Sequence, residues 1–82
     1  MTESKEQQYE TLYGPLYPYS DHKIGETITY RNEGTQYTGV IVWVCAPQRE
    51  GRQRIPASYI VERTSAGDSW PDTVYPGEII IH

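Results

Sequence analysis

Few side chains in this chain could do chemistry, and they are loosely grouped. Nucleophilic catalysis needs a hydroxyl or thiol activated by a neighbouring base, and no Ser, Thr or Cys here sits in such a context. Asp21-His22 sets an acid beside an imidazole, but adjacent residues of that kind read more simply as a turn. Asp68, Asp72 and Glu78 could gather around the last loops, where Asp is also a common turn residue. The two histidines and Cys45 are too widely separated to have metal-ligand spacing, and there is no glycine-rich phosphate loop. The main concentration of charge is Arg49, Arg52 and Arg54 around Gly51. It suits either a solvated loop or a patch that grips phosphates or an acidic partner, and Glu50 inside it dilutes the field. Trp70-Pro71, close to Tyr75, is the other notable group. An exposed Trp70 would be a strong contact residue; a buried one would plug one end of a thin core.

Extended segments must position these residues. The run Tyr37-Thr38-Gly39-Val40-Ile41-Val42-Trp43-Val44-Cys45 holds seven β-branched or aromatic residues in nine, types that fit a pleated, half-buried surface. Strict alternation would put Val40, Val42 and Val44 on one face and Ile41, Trp43 and Cys45 on the other. Both faces are apolar, so the strand should be covered on both sides. With this strand at about 36–45, shorter runs predict others at about 27–31, 58–63, 72–75 and 79–81. Asn32-Glu33-Gly34 supplies a turn, Pro47 ends the long strand because it cannot donate to a ladder, and Gln48–Arg54 reads as a polar loop. Five short strands punctuated by Gly and Pro predict an all-β fold, a small closed barrel over residues 24–82. Residues 1–23 read as a flexible arm rich in Tyr and Pro. A short helical turn within 3–13, with Tyr9 and Tyr13 on one face, stops at Gly14-Pro15. An extended Pro15-Leu16-Tyr17-Pro18 follows, draped over the barrel or over a neighbouring subunit.

At 82 residues the chain makes one domain with a thin core, and association would add stability. Eight Tyr, two Trp and no Phe favour rings whose hydroxyls stay near water, at an interface or along a wet cleft. Tyr30, Tyr37, Trp43, Trp70 and Tyr75 form the expected contact surface. A net charge of −4 disfavours nucleic acid, which needs a positive field. A single Cys excludes an internal disulfide and suits a reducing compartment. There is no apolar run of about 18 residues, and the polar start lacks a secretion segment. The expectation is a cytoplasmic protein away from membranes, needing no metal and no cofactor. It would associate as a homo-oligomer, dimer or tetramer, or with a protein partner.

The order Gly25-x-x-Ile28, Gly39-x-Ile41-x-Trp43, Tyr59-x-Val61 and Val74-Tyr75-Pro76-x-x-Ile79 resembles the SH3-like small-barrel superfamily over residues 24–81. Within it, the chain looks like the plasmid-borne type II, trimethoprim-insensitive dihydrofolate reductases. Those have a similar length, a disordered N-terminal arm and one barrel per chain, and four chains enclose a pore that holds NADPH and dihydrofolate. Their pore motif, Val-Gln-Ile-Tyr followed by Pro, falls on Asp72-Thr73-Val74-Tyr75-Pro76. Tyr75 matches and Val74 replaces isoleucine conservatively, whereas Thr73 stands where the ligand-contacting glutamine would be and Asp72 where the valine would be. The family's pore-mouth lysine falls near Tyr30 or Arg31, and its interface tryptophan at Tyr37. Trp43 and Cys45 echo the tryptophan and cysteine that end the long strand, with the tryptophan one step out. The resemblance implies a homotetramer with Asp72, Thr73, Val74 and Tyr75 at the pore. The departures point instead to a non-catalytic association module on the same fold. Four Asp72 carboxylates facing anionic ligands would repel them, and Thr73 lacks the orienting amide.

Overall fold

The computed structural model describes residues 4–64 and 71–80; Trp70 and Asp68, weighed above, lie outside them. Ser4 opens a nine-residue helix, α1 (Lys5–Tyr13). The Gln7 N–H donates to Ser4 Oγ and the Ser4 N–H donates to Gln7 Oε1, each at 3.2 Å, a reciprocal cap that satisfies two helix-end donors. Gly14, at φ +88, lets the chain leave the helix. The strands are β1 (Thr27–Asn32), β2 (Thr35–Cys45), β3 (Gln48–Glu50), β4 (Gln53–Ile55), β5 (Ser58–Arg63), β6 (Asp72–Val74) and β7 (Ile79–Ile80). A 3-10 turn at Pro76–Glu78 delivers the chain to β7.

The fold is all-β apart from α1 and this turn. One antiparallel sheet runs in the order β6-β5-β2-β1-β7, and β3 with β4 forms a separate hairpin. Each of the five expected strands is found in the large sheet, whose ladder has β6 and β7 as its edges. One expectation is corrected: Gln48–Arg54 is not a loop but most of the β3–β4 hairpin, turning near Gly51 at φ +58. Two three-residue polar strands, largely exposed, have no apolar period to announce them.

Register decides which side chains meet. Strand β1 pairs with β2 from Thr27↔Val40 to Asn32↔Thr35. Glu33 (φ 52) and Gly34 (φ 82) turn between them with both dihedrals positive, matching the twist of the flanking strands. Between Ile41 and Trp43 the β2–β5 ladder slips: Ile41 faces Val61, and Trp43 faces Ile60. Val42 is therefore the extra residue of a β-bulge, and it reverses the alternation beyond it. Ile41 and Val44 share the core with Ile28, Tyr30, Tyr59, Val61 and Val74. Strict alternation along this strand fails at that point, and Trp43 goes to the opposite face.

There the arm closes over it. The Trp43 indole N–H donates to the Gly14 carbonyl at 3.0 Å, the Tyr9 ring centre lies 5.9 Å from the Trp43 ring, and the Tyr17 N–H donates to the Val44 carbonyl at 3.1 Å. The arm thus covers β2 on the side away from the core, as a strand apolar on both faces requires.

Gly39, opposite Ile28, has no room for a side chain. A Cβ there would lie 2.6 Å from both the Glu62 carbonyl oxygen and Val61 Cγ1. Gly39→Ala is expected to push β2 and β5 apart and cost about 1–3 kcal/mol, read as a lower urea midpoint. An unchanged midpoint would show that this close approach is not needed.

Candidate functional site

The core-facing positions at one end of the large sheet are polar. Alternation brings Tyr30 and Asn32 of β1, Tyr37 of β2, Arg63 of β5 and Asp72 of β6 to that end, with Tyr30 directly opposite Tyr37 and Asp72 opposite Val61. The Asp72 carboxylate accepts from the Tyr30 hydroxyl at 2.5 Å, Arg63 Nε at 2.7 Å, Arg63 Nη2 at 3.1 Å and Asn32 Nδ2 at 3.3 Å. The Arg63 guanidinium lies 3.8 Å from the centre of the Tyr37 ring, within cation–π range. An ionised carboxylate has about four lone-pair positions, so these donors nearly saturate it. β2 and β5 separate β1 from β6, a span of roughly 14 Å in a flat sheet. A direct bond between Tyr30 and Asp72 therefore requires the sheet to curl across its core face.

The electrostatics follow from this geometry. Burial alone would raise the Asp72 carboxyl, but the bonds from Arg63 and Tyr30 outweigh it and hold it below its ordinary value. Burial first, then the Asp72 hydrogen bond, pushes Tyr30 up to about 12. Arg63 is raised chiefly by its hydrogen bond to Asp72. Shifts of this kind gather at catalytic centres. Here each group is perturbed by the others, an arrangement that ties strands together rather than activating a nucleophile.

The structure distributes the sequence candidates as follows. Asp72, Tyr30 and Tyr37 come together in this cluster. Tyr30 is 0% exposed and Trp43 3%, so neither belongs to an exposed contact surface: register turns one inward and the bulge puts the other under the arm. Val74 is buried in the core, whereas Thr73 is exposed and Tyr75 is 38% exposed. Asp72 points into its own chain. Arg49, Arg52 and Arg54 are exposed on the β3–β4 hairpin. Arg63 was not singled out from the sequence, although its place two residues beyond Val61 on β5 was the available signal.

Smaller groupings are structural. His22 Nδ1 lies 3.2 Å from Glu26 Oε1, and the same carboxylate accepts from the Lys23 N–H. The Lys23 bond, then His22, lowers the Glu26 carboxyl. Ser20 Oγ donates to the His22 carbonyl rather than meeting the ring, so this Ser, His and Glu do not form a proton relay. Burial pushes the Cys45 thiol up, away from the thiolate that reactivity needs. Among the described residues no group of three His, Cys, Asp or Glu could hold a metal, and no helix is long and apolar enough to cross a membrane.

Asp72→Asn is expected to lower stability by about 2 kcal/mol, the scale of hydrogen bonds to a charged group. With its carboxyl held low, Asp72 contributes stability above the ordinary carboxylate value near pH 4, and that stability is lost as pH falls through the lowered value. Tyr30 works in the other direction. Its contribution is complete below the ordinary phenol value of 10.0 and is lost as pH rises toward about 12. Thermal melts between pH 2 and 7 should show an acid slope that the Asn variant flattens; parallel slopes would assign the acid loss to other carboxylates. No protein-family model, curated protein or solved structure matches this chain.

Proposed function

We propose that the chain is a non-catalytic binding module, an SH3-like small barrel that self-assembles through its N-terminal arm. The barrel reading is supported by the strand order, in which the last strand lies beside the first, and by the 3-10 turn that hands the chain to β7. The Tyr30–Asp72 bond, which draws edge strand β6 toward β1, supports it too.

The observation that carries the self-assembly is α1. A nine-residue helix is marginal in water by itself, yet α1 has only Tyr9 and Tyr13 half-buried, with no residue fully buried, and leaves Leu12 71% exposed. Leu16, Tyr19 and Ile24, farther along the same segment, are exposed as well. Burying an aliphatic side chain of this size completely contributes about 1.5–3 kcal/mol, so a second copy laid against the arm supplies the packing it lacks. Sedimentation of the wild-type chain is expected to give a dimer or tetramer, and Leu12→Glu combined with Tyr19→Ser a monomer with the same far-ultraviolet spectrum. A wild-type monomer over the whole concentration range overturns the proposal.

The orientation of Asp72 favours a second reading, a type II reductase-like homotetramer around a pore for NADPH and dihydrofolate. Four Asp72 carboxylates facing such ligands would repel them, and pairing with Arg63 inside each chain relieves that repulsion. Thr73 and Tyr75, on either side of buried Val74, remain available. Thr73 offers a hydroxyl where that family has an amide, so these residues meet the ligands' charge better than their need for orientation. Saturable NADPH binding by a tetramer, lost in Thr73→Glu, supports this reading. A monomer, or a tetramer indifferent to NADPH, removes it.

A further inference from the structure

The hairpin and the helix each hold a like-charge pair. In the β3–β4 hairpin Arg49 stands directly opposite Arg54. Residues paired this way have Cβ atoms about 4.5–5.5 Å apart, and like charges there weaken the ladder. Arg52 follows in the turn, and all three are exposed. On α1, Glu6 and Glu10 are exposed one turn apart, with Cβ atoms about 5–6 Å apart and again mutually repulsive. Among the described residues the ion pairs are His22–Glu26 and Arg63–Asp72, so neither like-charge pair is neutralised by them. The hairpin is the basic part of an acidic chain, with three arginines against one glutamate where the net charge is −4.

We propose that α1 of one copy docks on the β3–β4 hairpin of a second copy, Glu6 and Glu10 meeting Arg49 and Arg54. The inference rests on the self-assembly proposed above and adds to it a charged contact on a stripe of α1 separate from Leu12. The two spacings match, so both carboxylates are met together and both repulsions are relieved. Arg49 and Arg54 flank an open cleft of about 500 Å³ lined also by Pro47, Ile55 and Pro56, a partly apolar setting in which an ion pair is stronger than in bulk water. Gly14, at the end of α1, is bonded to Trp43, and the hairpin starts shortly after at Gln48, whereas Glu6 lies farther back along β2, beside Val40, Val42 and Glu62. A two-fold axis relating the copies lets each give its helix and receive its partner's, which closes the assembly. Exposed pairs are individually weak, so these charges select the partner surface and its register more than they supply affinity.

Charge reversal with complementation tests the contact. One chain carries Arg49→Glu with Arg54→Glu, the other Glu6→Arg with Glu10→Arg, and each is sedimented alone and mixed. Each alone is expected to associate at least about tenfold more weakly than wild type. The mixture should recover, because both reciprocal contacts are then between opposite charges. If a reversed chain loses its native spectrum, Glu6→Gln with Glu10→Gln decides instead, by weaker association that depends less on salt. A wild-type oligomer indifferent to these changes, or reversals that mixing does not rescue, overturns this interface and leaves the self-assembly reading standing. A wild-type monomer overturns both. A monomer held on polyglutamate or an oligonucleotide through its arginines assigns the hairpin to an outside anion, and likewise overturns the inference.

Discussion

The Asp72 carboxylate joins parts of the sheet that the backbone ladder leaves apart. Its donors come from β1 and β5, and it sits on an edge strand. An ion pair taken out of water is not by itself a large source of stability, since desolvation offsets much of the attraction. Its value here is geometric. Tyr30, Asn32 and Arg63 can all reach Asp72 only when the sheet is curled, so satisfying their polar atoms and bending the sheet are one requirement. The bent sheet in turn encloses the aliphatic core of Ile28, Ile41, Val44, Val61 and Val74. A core this thin depends on that bend, because a small domain has little apolar area to spare.

The same constraint shapes the outer surface. One end of the sheet is sealed by side chains that serve one another. Residues 14–17 of the arm, the arginine hairpin and Tyr75 are gathered toward the opposite end, where β2 stops and β5 begins. Val42 links the two faces: the bulge it makes sends Val44 into the core and Trp43 outward, where the indole finds the Gly14 carbonyl. Without that extra residue the arm would lose its anchor. Inner packing and outer cover are therefore coupled through one strand.

Tyrosine usage shows why part of the site was hard to foresee. A ring with a hydroxyl was expected near water or a partner surface, because a buried hydroxyl needs a hydrogen-bond partner. Tyr30 meets that need with Asp72, a residue far away in the chain, and Trp43 meets its own with a carbonyl of the arm. Composition states the demand but not who answers it. The inward position of Arg63 has no local signal for a related reason. A charged residue near the end of an apolar strand usually turns to solvent, and only the presence of Asp72 and Tyr37 beside it makes the inward position favourable.

Outside the β3–β4 hairpin, local chemistry alone determined where the chain extends, where it turns and where it stops. β-branched runs marked the strands of the large sheet, Gly34 and Pro47 marked their ends, and Gly14-Pro15 ended the helix. Those preferences act over a few residues and survive in any context. Which face each side chain takes, which strands become neighbours and which charges meet were decided only by tertiary structure. The side-chain period of a strand is two, so one unpaired residue reverses everything after it, and no local preference distinguishes Val42 from the valines on either side. The polar hairpin and the Asp72 cluster likewise exist through pairings between distant residues, which short-range propensity does not encode.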